Sequence, residues 1–65
     1  MGKVHIYKED QIIEYAPDEF VGFYLGEDDE VEATYRCKTL KEAQKALDKY
    51  NKLVSIIKAE NEKGE

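Results

Sequence analysis

Sixty-five residues, 42% of them apolar and 38% charged, make one small folded domain and not a disordered tail. The single cysteine excludes a disulfide framework and the single histidine a conventional zinc site. A chain of this size buries only about 60% of its unfolded surface, so packing or self-association must supply its stability.

The net charge of −5 is unevenly spread. Residues 1–32 carry −8 and residues 33–65 carry +3. An acidic N-terminal part and a mildly basic C-terminal part are expected, which bears on partners more than on fold. No stretch nears the ~18 apolar residues of a membrane span and no apolar leader precedes the first alternating segment, so a soluble, cytoplasmic protein is expected.

Residues 3–8, Lys-Val-His-Ile-Tyr-Lys, alternate and favour a strand. Residues 11–15 do the same, with Glu9-Asp10 as a two-residue turn. That register sets Val4 opposite Tyr15 and Ile6 opposite Ile13 on one side. His5 then meets Glu14, and Tyr7 meets Ile12, on the other. Pro17 ends the unit because proline cannot continue a ladder interior.

A second hairpin follows, with strands over 20–25 and 31–37 and residues 26–30 as its loop. Pairing Leu25 with Val31 sets Phe23 against Ala33 and Val21 against Tyr35 on one apolar face. A one-residue slip would move Glu32 and Arg36 to that face, so the register is well specified. Gly22 is expected to let a side chain lie across the strand.

Thr39 and Glu42 form a capping box, in which each side chain takes the other residue's backbone N–H. It opens a helix over about 40–60, with Asn61 to Glu65 frayed. Leu40, Ala43, Leu47, Tyr50, Val54 and Ile57 recur at spacings of three and four and form its apolar stripe. The expected architecture is α+β: a small antiparallel ββββα sheet, its Val21, Phe23 and Tyr35 side under one long C-terminal helix. A helix of roughly 20 residues is ~30 Å long, more than strands of ~17–20 Å can cover. Leu53, Val54, Ile56 and Ile57 should overhang, where a homodimer would bury them.

Chemistry finds few carriers. Ser55 and Cys37 have no evident histidine base, so no catalytic residue, cofactor site or metal site is assigned. Glu27, Asp28, Asp29 and Glu30 lack the alternating oxygens and glycine of a calcium loop and read as a solvated hairpin tip. His5 beside Glu14 reads as a surface pair. Lys41, Lys45, Lys49 and Lys52 read as the solvated back of the helix, held in part by Glu42–Lys45 and Asp48–Lys52 pairs. The sheet side opposite the helix is assigned Phe20, Tyr24, Tyr7 and Ile12 among Glu14, Glu32 and Arg36. An aromatic patch rimmed by charge suits a protein partner.

Phe20 to Leu25, Val31 to Arg36, and the Thr39, Glu42 and Ala43 positions resemble the arm-type (AP2-like) DNA-binding domain of phage tyrosine integrases. The resemblance covers under half the chain. It implies a short antiparallel sheet followed by a helix, with the sheet entering a major groove. The matching face here holds Tyr24, Glu32, Thr34 and Arg36, of which only Arg36 is cationic. A free-standing acidic chain of this size is also similar to accessory proteins of phages and plasmids. Two functions are therefore expected in order. The first is a non-enzymatic binding or inhibitor protein, a possible DNA mimic, that docks on a basic protein surface through Phe20, Tyr24, Arg36, Glu27, Asp28, Asp29, Glu30 and Glu32. The alternative is a small DNA-binding module using Arg36, Lys38, Lys41 and Lys45.

Overall fold

The computed structural model describes residues 2–63. Strands β1 (Lys3–Tyr7), β2 (Asp10–Ala16), β3 (Glu19–Leu25) and β4 (Val31–Ala33) form an antiparallel meander in chain order, and helix α1 (Leu40–Lys63) follows. The protein is a small α+β fold, with Asn61 to Lys63 still helical and the frayed end expected at 64–65 outside the described residues.

The first hairpin pairs two residues away from the expected register. Val4 faces Ile13, His5 faces Ile12 and Ile6 faces Gln11, so Lys8-Glu9 is the turn and β2 begins at Asp10. Lys8 adopts φ 56°, a conformation that costs a non-glycine residue roughly 1 kcal/mol. Its ammonium reaches Asp48 on the helix at 2.9 Å, and the Tyr7 hydroxyl donates to the same carboxylate at 2.9 Å. These tertiary contacts hold a turn that local chemistry would not choose. A shift of two residues preserves the pleat, so each side chain keeps its expected neighbours by face.

The second hairpin pairs Leu25 with Val31 and Phe23 with Ala33, as expected. Beyond Ala33 the ladder breaks. Phe20 and Cys37 exchange two backbone hydrogen bonds of 2.7 Å. Three steps back from Phe23 to Phe20 thus oppose four steps on from Ala33 to Cys37. One residue is extra, as in a bulge, and it reverses the facing of all that follows. The expected Val21–Tyr35 pair does not form. Thr34 is buried; its hydroxyl accepts from the Gly22 N–H at 3.0 Å and donates to the Tyr35 carbonyl at 2.9 Å.

This reversal decides which side of the sheet the helix covers. Cys37 shares the side of Phe20, and the short link Lys38-Thr39 starts the helix there. The core comprises Ile12, Phe20, Cys37, Ala43, Ala46 and Leu47, with Tyr7, Tyr24, Leu40 and Tyr50 packed around it. The helix therefore lies on the side assigned to solvent, and the side of Val21 and Phe23 has no helix over it, although Val21 itself is buried. Gly22 makes the close approach possible. A Cβ there would meet Leu47 side-chain atoms at 2.8–3.1 Å, and Leu47 does lie across this strand. Ala43 and Ala46, both buried, keep the rest of the helix surface low.

Thr39 caps the helix as expected, its hydroxyl accepting from Glu42 N–H at 3.1 Å. Glu42 reaches back one residue further than expected, accepting from the Lys38 N–H at 3.1 Å. At ~1.5 Å per residue its 24 residues run ~36 Å, against ~23 Å for a seven-residue strand. The molecule is accordingly long, 46 × 18 × 17 Å. Lys58 contacts Asp29 of the β3–β4 loop at 3.3 Å. Around and before that contact, Leu53, Ile56 and Ile57 are 44%, 46% and 41% exposed, and Val54 is half-buried.

Candidate binding surfaces

The expected partner-binding set does not form one surface. Phe20 is only 7% exposed, a core residue on the covered side. Tyr24 is half-buried and stacks on Tyr50 of the helix, with ring centroids 5.4 Å apart and planes 4° from parallel. Burial, with Glu32 and Tyr50 nearby, raises the Tyr24 hydroxyl pKa. Both anchors are lost because the helix occupies the face on which they stand. Tyr24 and Thr34 belong to the face that the integrase resemblance would place in a groove, and the helix overlies it. Tyr35 is 58% exposed and meets Tyr50 edge-on at 6.4 Å.

The charged members are divided between the two ends of the sheet. Arg36 is exposed and stands 3.8 Å from Glu19, where β3 begins. Glu27, Asp28, Asp29 and Glu30 lie past the other end of β3, about 20 Å away along the strand. A meander brings alternate turns to the same end, so Glu9 and Asp10 join those four carboxylates. Glu32 stands across from Tyr24 near that end. The alternative cations Lys38, Lys41 and Lys45 are exposed along the helix start.

A polar clamp on the covered side was not anticipated. Asp48 takes Lys8 and Tyr7, not the Lys52 that helical spacing suggests. Next to it the Asn51 amide donates to Asp10 at 2.6 Å. The Lys8 ammonium holds the exposed Asp48 carboxyl below its ordinary pKa, and Asp48 raises Lys8 in return. An open groove of about 520 Å³ runs along this clamp, lined by Lys8, Glu9, Asp10, Asp48, Lys52 and Ser55 among others. It contains a hydroxyl but no histidine beside it. His5 is engaged elsewhere, with Nε2 2.9 Å from Glu14 Oε1. Although the register moved, the two remain diagonal neighbours on one face. Cys37 is buried at 2% exposure, and that burial pushes its thiol pKa up, with Glu42 adding to the effect. This thiol is a packing group, not a nucleophile.

The surface that sequence reasoning missed is the open side of the sheet. Val4 and Ile6 of β1 are 57% and 68% exposed, and Leu25 and Val31 of β3 and β4 are 54% and 70% exposed. Between them by register lie Ile13 and Phe23, half-buried, Ala33, exposed, and Val21, which is buried. Gln11 is the polar strand residue among these rows, with Glu9 beside Leu25 and Val31 at one end and Glu19 near the β2–β3 turn at the other. The alternation of Val21, Phe23, Leu25, Val31 and Ala33 marked this face as apolar from the outset. What it could not show is that the helix would cover the other one.

No family model matches this chain, and neither a curated protein nor a solved structure does. No helix among the described residues is long and apolar enough to cross a membrane.

Proposed function

We propose that this protein is a non-enzymatic binding module that docks on another protein through the open face of its sheet. The observation that carries this reading is the set of apolar side chains on that face, of which Val4, Ile6, Leu25 and Val31 are each more than half exposed. An apolar patch of this extent, rimmed by charge, suits a partner better than water. The carboxylates at one end, Glu27 to Glu30 with Glu9 and Asp10, supply the rim. They steer association toward basic surfaces, because opposite long-range charge raises encounter rates. An inhibitor that occupies a basic, nucleic-acid-binding surface is the narrower form of the same reading.

The test is capture from the native host lysate, followed by binding kinetics with the captured protein. Ile6→Lys should weaken capture strongly, since it places a cation on an exposed apolar position of the face, on edge strand β1. Replacing Glu27, Asp28, Asp29 and Glu30 with lysine should slow association and flatten its salt dependence. Unchanged binding by both variants would overturn the reading.

A further inference from the structure

We propose that the hollow at the acidic end of the helix-free sheet face receives an arginine side chain of a protein partner. The proposal rests on the reading of that face as a docking surface and names the group that anchors there.

The backbone makes the hollow. Strand β2 pairs with β3 as far as Gln11–Phe23, while β3 runs on to Leu25. Glu9, which the same register would set beside Leu25, stands instead in the Lys8-Glu9 turn. The strands part there and leave an open space of about 250 Å³, with Glu9 and Asp10 against Phe23, Leu25 and Val31. Small-molecule sites are usually ~300–1,000 Å³, so this one suits a single long side chain.

Its lining selects a cation on an apolar stem. Leu25 and Val31 are each more than half exposed and offer aliphatic contact, and Phe23 beside them offers a ring. Glu9 is exposed, and among the described residues no cation or hydrogen-bond donor holds its carboxylate. Asp10 gives one oxygen to Asn51 and keeps the other. An anion would be repelled here, and a neutral apolar group would bring no partner for the Glu9 charge. A metal ion fits no better, since no group of three His, Cys, Asp or Glu side chains among the described residues is placed to hold one. Of the two long basic side chains, arginine is the better match. Its guanidinium is planar and weakly hydrated, so it can lie on a ring while donating two bonds to one carboxylate. A lysine ammonium is compact and holds its water more tightly.

The larger groove along the Asp48 clamp makes the contrast. There Lys8 meets Asp48, Asn51 meets Asp10, and Lys52 stands in the same lining, so its carboxylates are answered from within. The hollow has no such internal cation. Glu27, Asp28 and Glu30 lie exposed just past Leu25, while the nearby Lys58 is held by Asp29 and Lys8 by Asp48. The field over the hollow is therefore acidic and draws a cation toward it. An arginine seated in a pocket, with apolar contacts around it, is a common anchor of protein interfaces.

The test is titration of the full ¹⁵N-labelled chain with acetyl-Gly-Arg-Gly-amide, read by the backbone amide NMR spectrum. The same peptide with lysine, or with citrulline, serves as comparison; citrulline keeps the shape of arginine and loses its charge. The arginine peptide should give saturable shifts centred on Gln11, Phe23, Leu25 and Val31, with a Kd of roughly 1–10 mM. It should bind about threefold more tightly than the lysine peptide and about tenfold more tightly than the citrulline one. Glu9→Gln should weaken it by about fivefold, and Glu19→Gln, at the other end of the sheet, should leave it unchanged. The spectra themselves report that each variant is folded. Shifts that are absent at about 50 mM peptide, or that spread over Glu27 to Glu30 and ignore Glu9→Gln, overturn the proposal. Equal affinity for arginine and lysine, or for arginine and citrulline, overturns it too. If the hollow fails in this way while Ile6→Lys still weakens capture of a lysate protein, the anchor is wrong and the docking reading stands. If capture is also unchanged, both fail.

Discussion

At the scale of single residues, Asp48 shows how exposed groups can fix a register. Its carboxylate takes both Lys8 and Tyr7, and so holds the first turn in a conformation that lysine rarely adopts. The pH dependence follows from the two shifts. Asp48 sits below its ordinary 3.8 in the folded state, so its contribution is present above 3.8 and is lost as pH falls through the depressed value. Lys8 sits above 10.5, so its contribution is present below 10.5 and is lost as pH rises through the raised value. Asp48→Asn should therefore lower the urea midpoint slightly and evenly across neutral pH. The difference from wild type should close in strong acid and again in strong alkali. A difference that persists unchanged at pH 2 would remove Asp48 from this role. None of this was legible beforehand, because Lys52 is Asp48's nearest helical neighbour by spacing and Lys8 is 40 residues away.

At the scale of elements, local signals were readable and their relation in space was not. The capping hydroxyl of Thr39, the second hairpin's Leu25–Val31 pairing and the helix start all follow from short-range chemistry. The side of the sheet that the helix covers depends on one extra residue between Ala33 and Cys37, and no alternation pattern can reveal it. The seam between helix and sheet offers a sharp check. Gly22→Ala places a methyl group against Leu47 and should cost about 1–3 kcal/mol by overpacking. Leu47→Ala alone should cost ~2–5 kcal/mol by leaving a cavity. In the double variant the added methyl has space, so the two losses should sum to clearly more than the measured one. Simple additivity in urea denaturation would show that the helix does not bear on Gly22. The candidate site fared less well than the helix, because Phe20 and Tyr24 were placed by the same inverted facing. The apolar face itself was visible, under the wrong heading.

At the scale of the whole molecule, the length mismatch between helix and sheet was legible from residue counts alone. The helix runs past the last strand, and Ala59, Glu60, Asn61 and Glu62 are all exposed. Removing residues 59–65 should change the unfolding free energy by less than about 0.5 kcal/mol, since surface positions without special contacts seldom matter more. A larger loss in urea denaturation would mean that these turns pack on something. The acidity of the N-terminal half was equally plain in the sequence, yet the gathering of Glu9, Asp10 and Glu27 to Glu30 at one end required the meander.

The contacts that close the structure join residues far apart in the chain: Tyr7 meets Asp48, and Asp10 meets Asn51, each across 41 positions. A ribosome adding about 5–20 residues per second therefore needs roughly 2–8 s between making the first ribbon and making its clasp. During that wait the first hairpin lacks the helix that will cover Ile12, and helpers that shield newborn chains have a defined window in which to act.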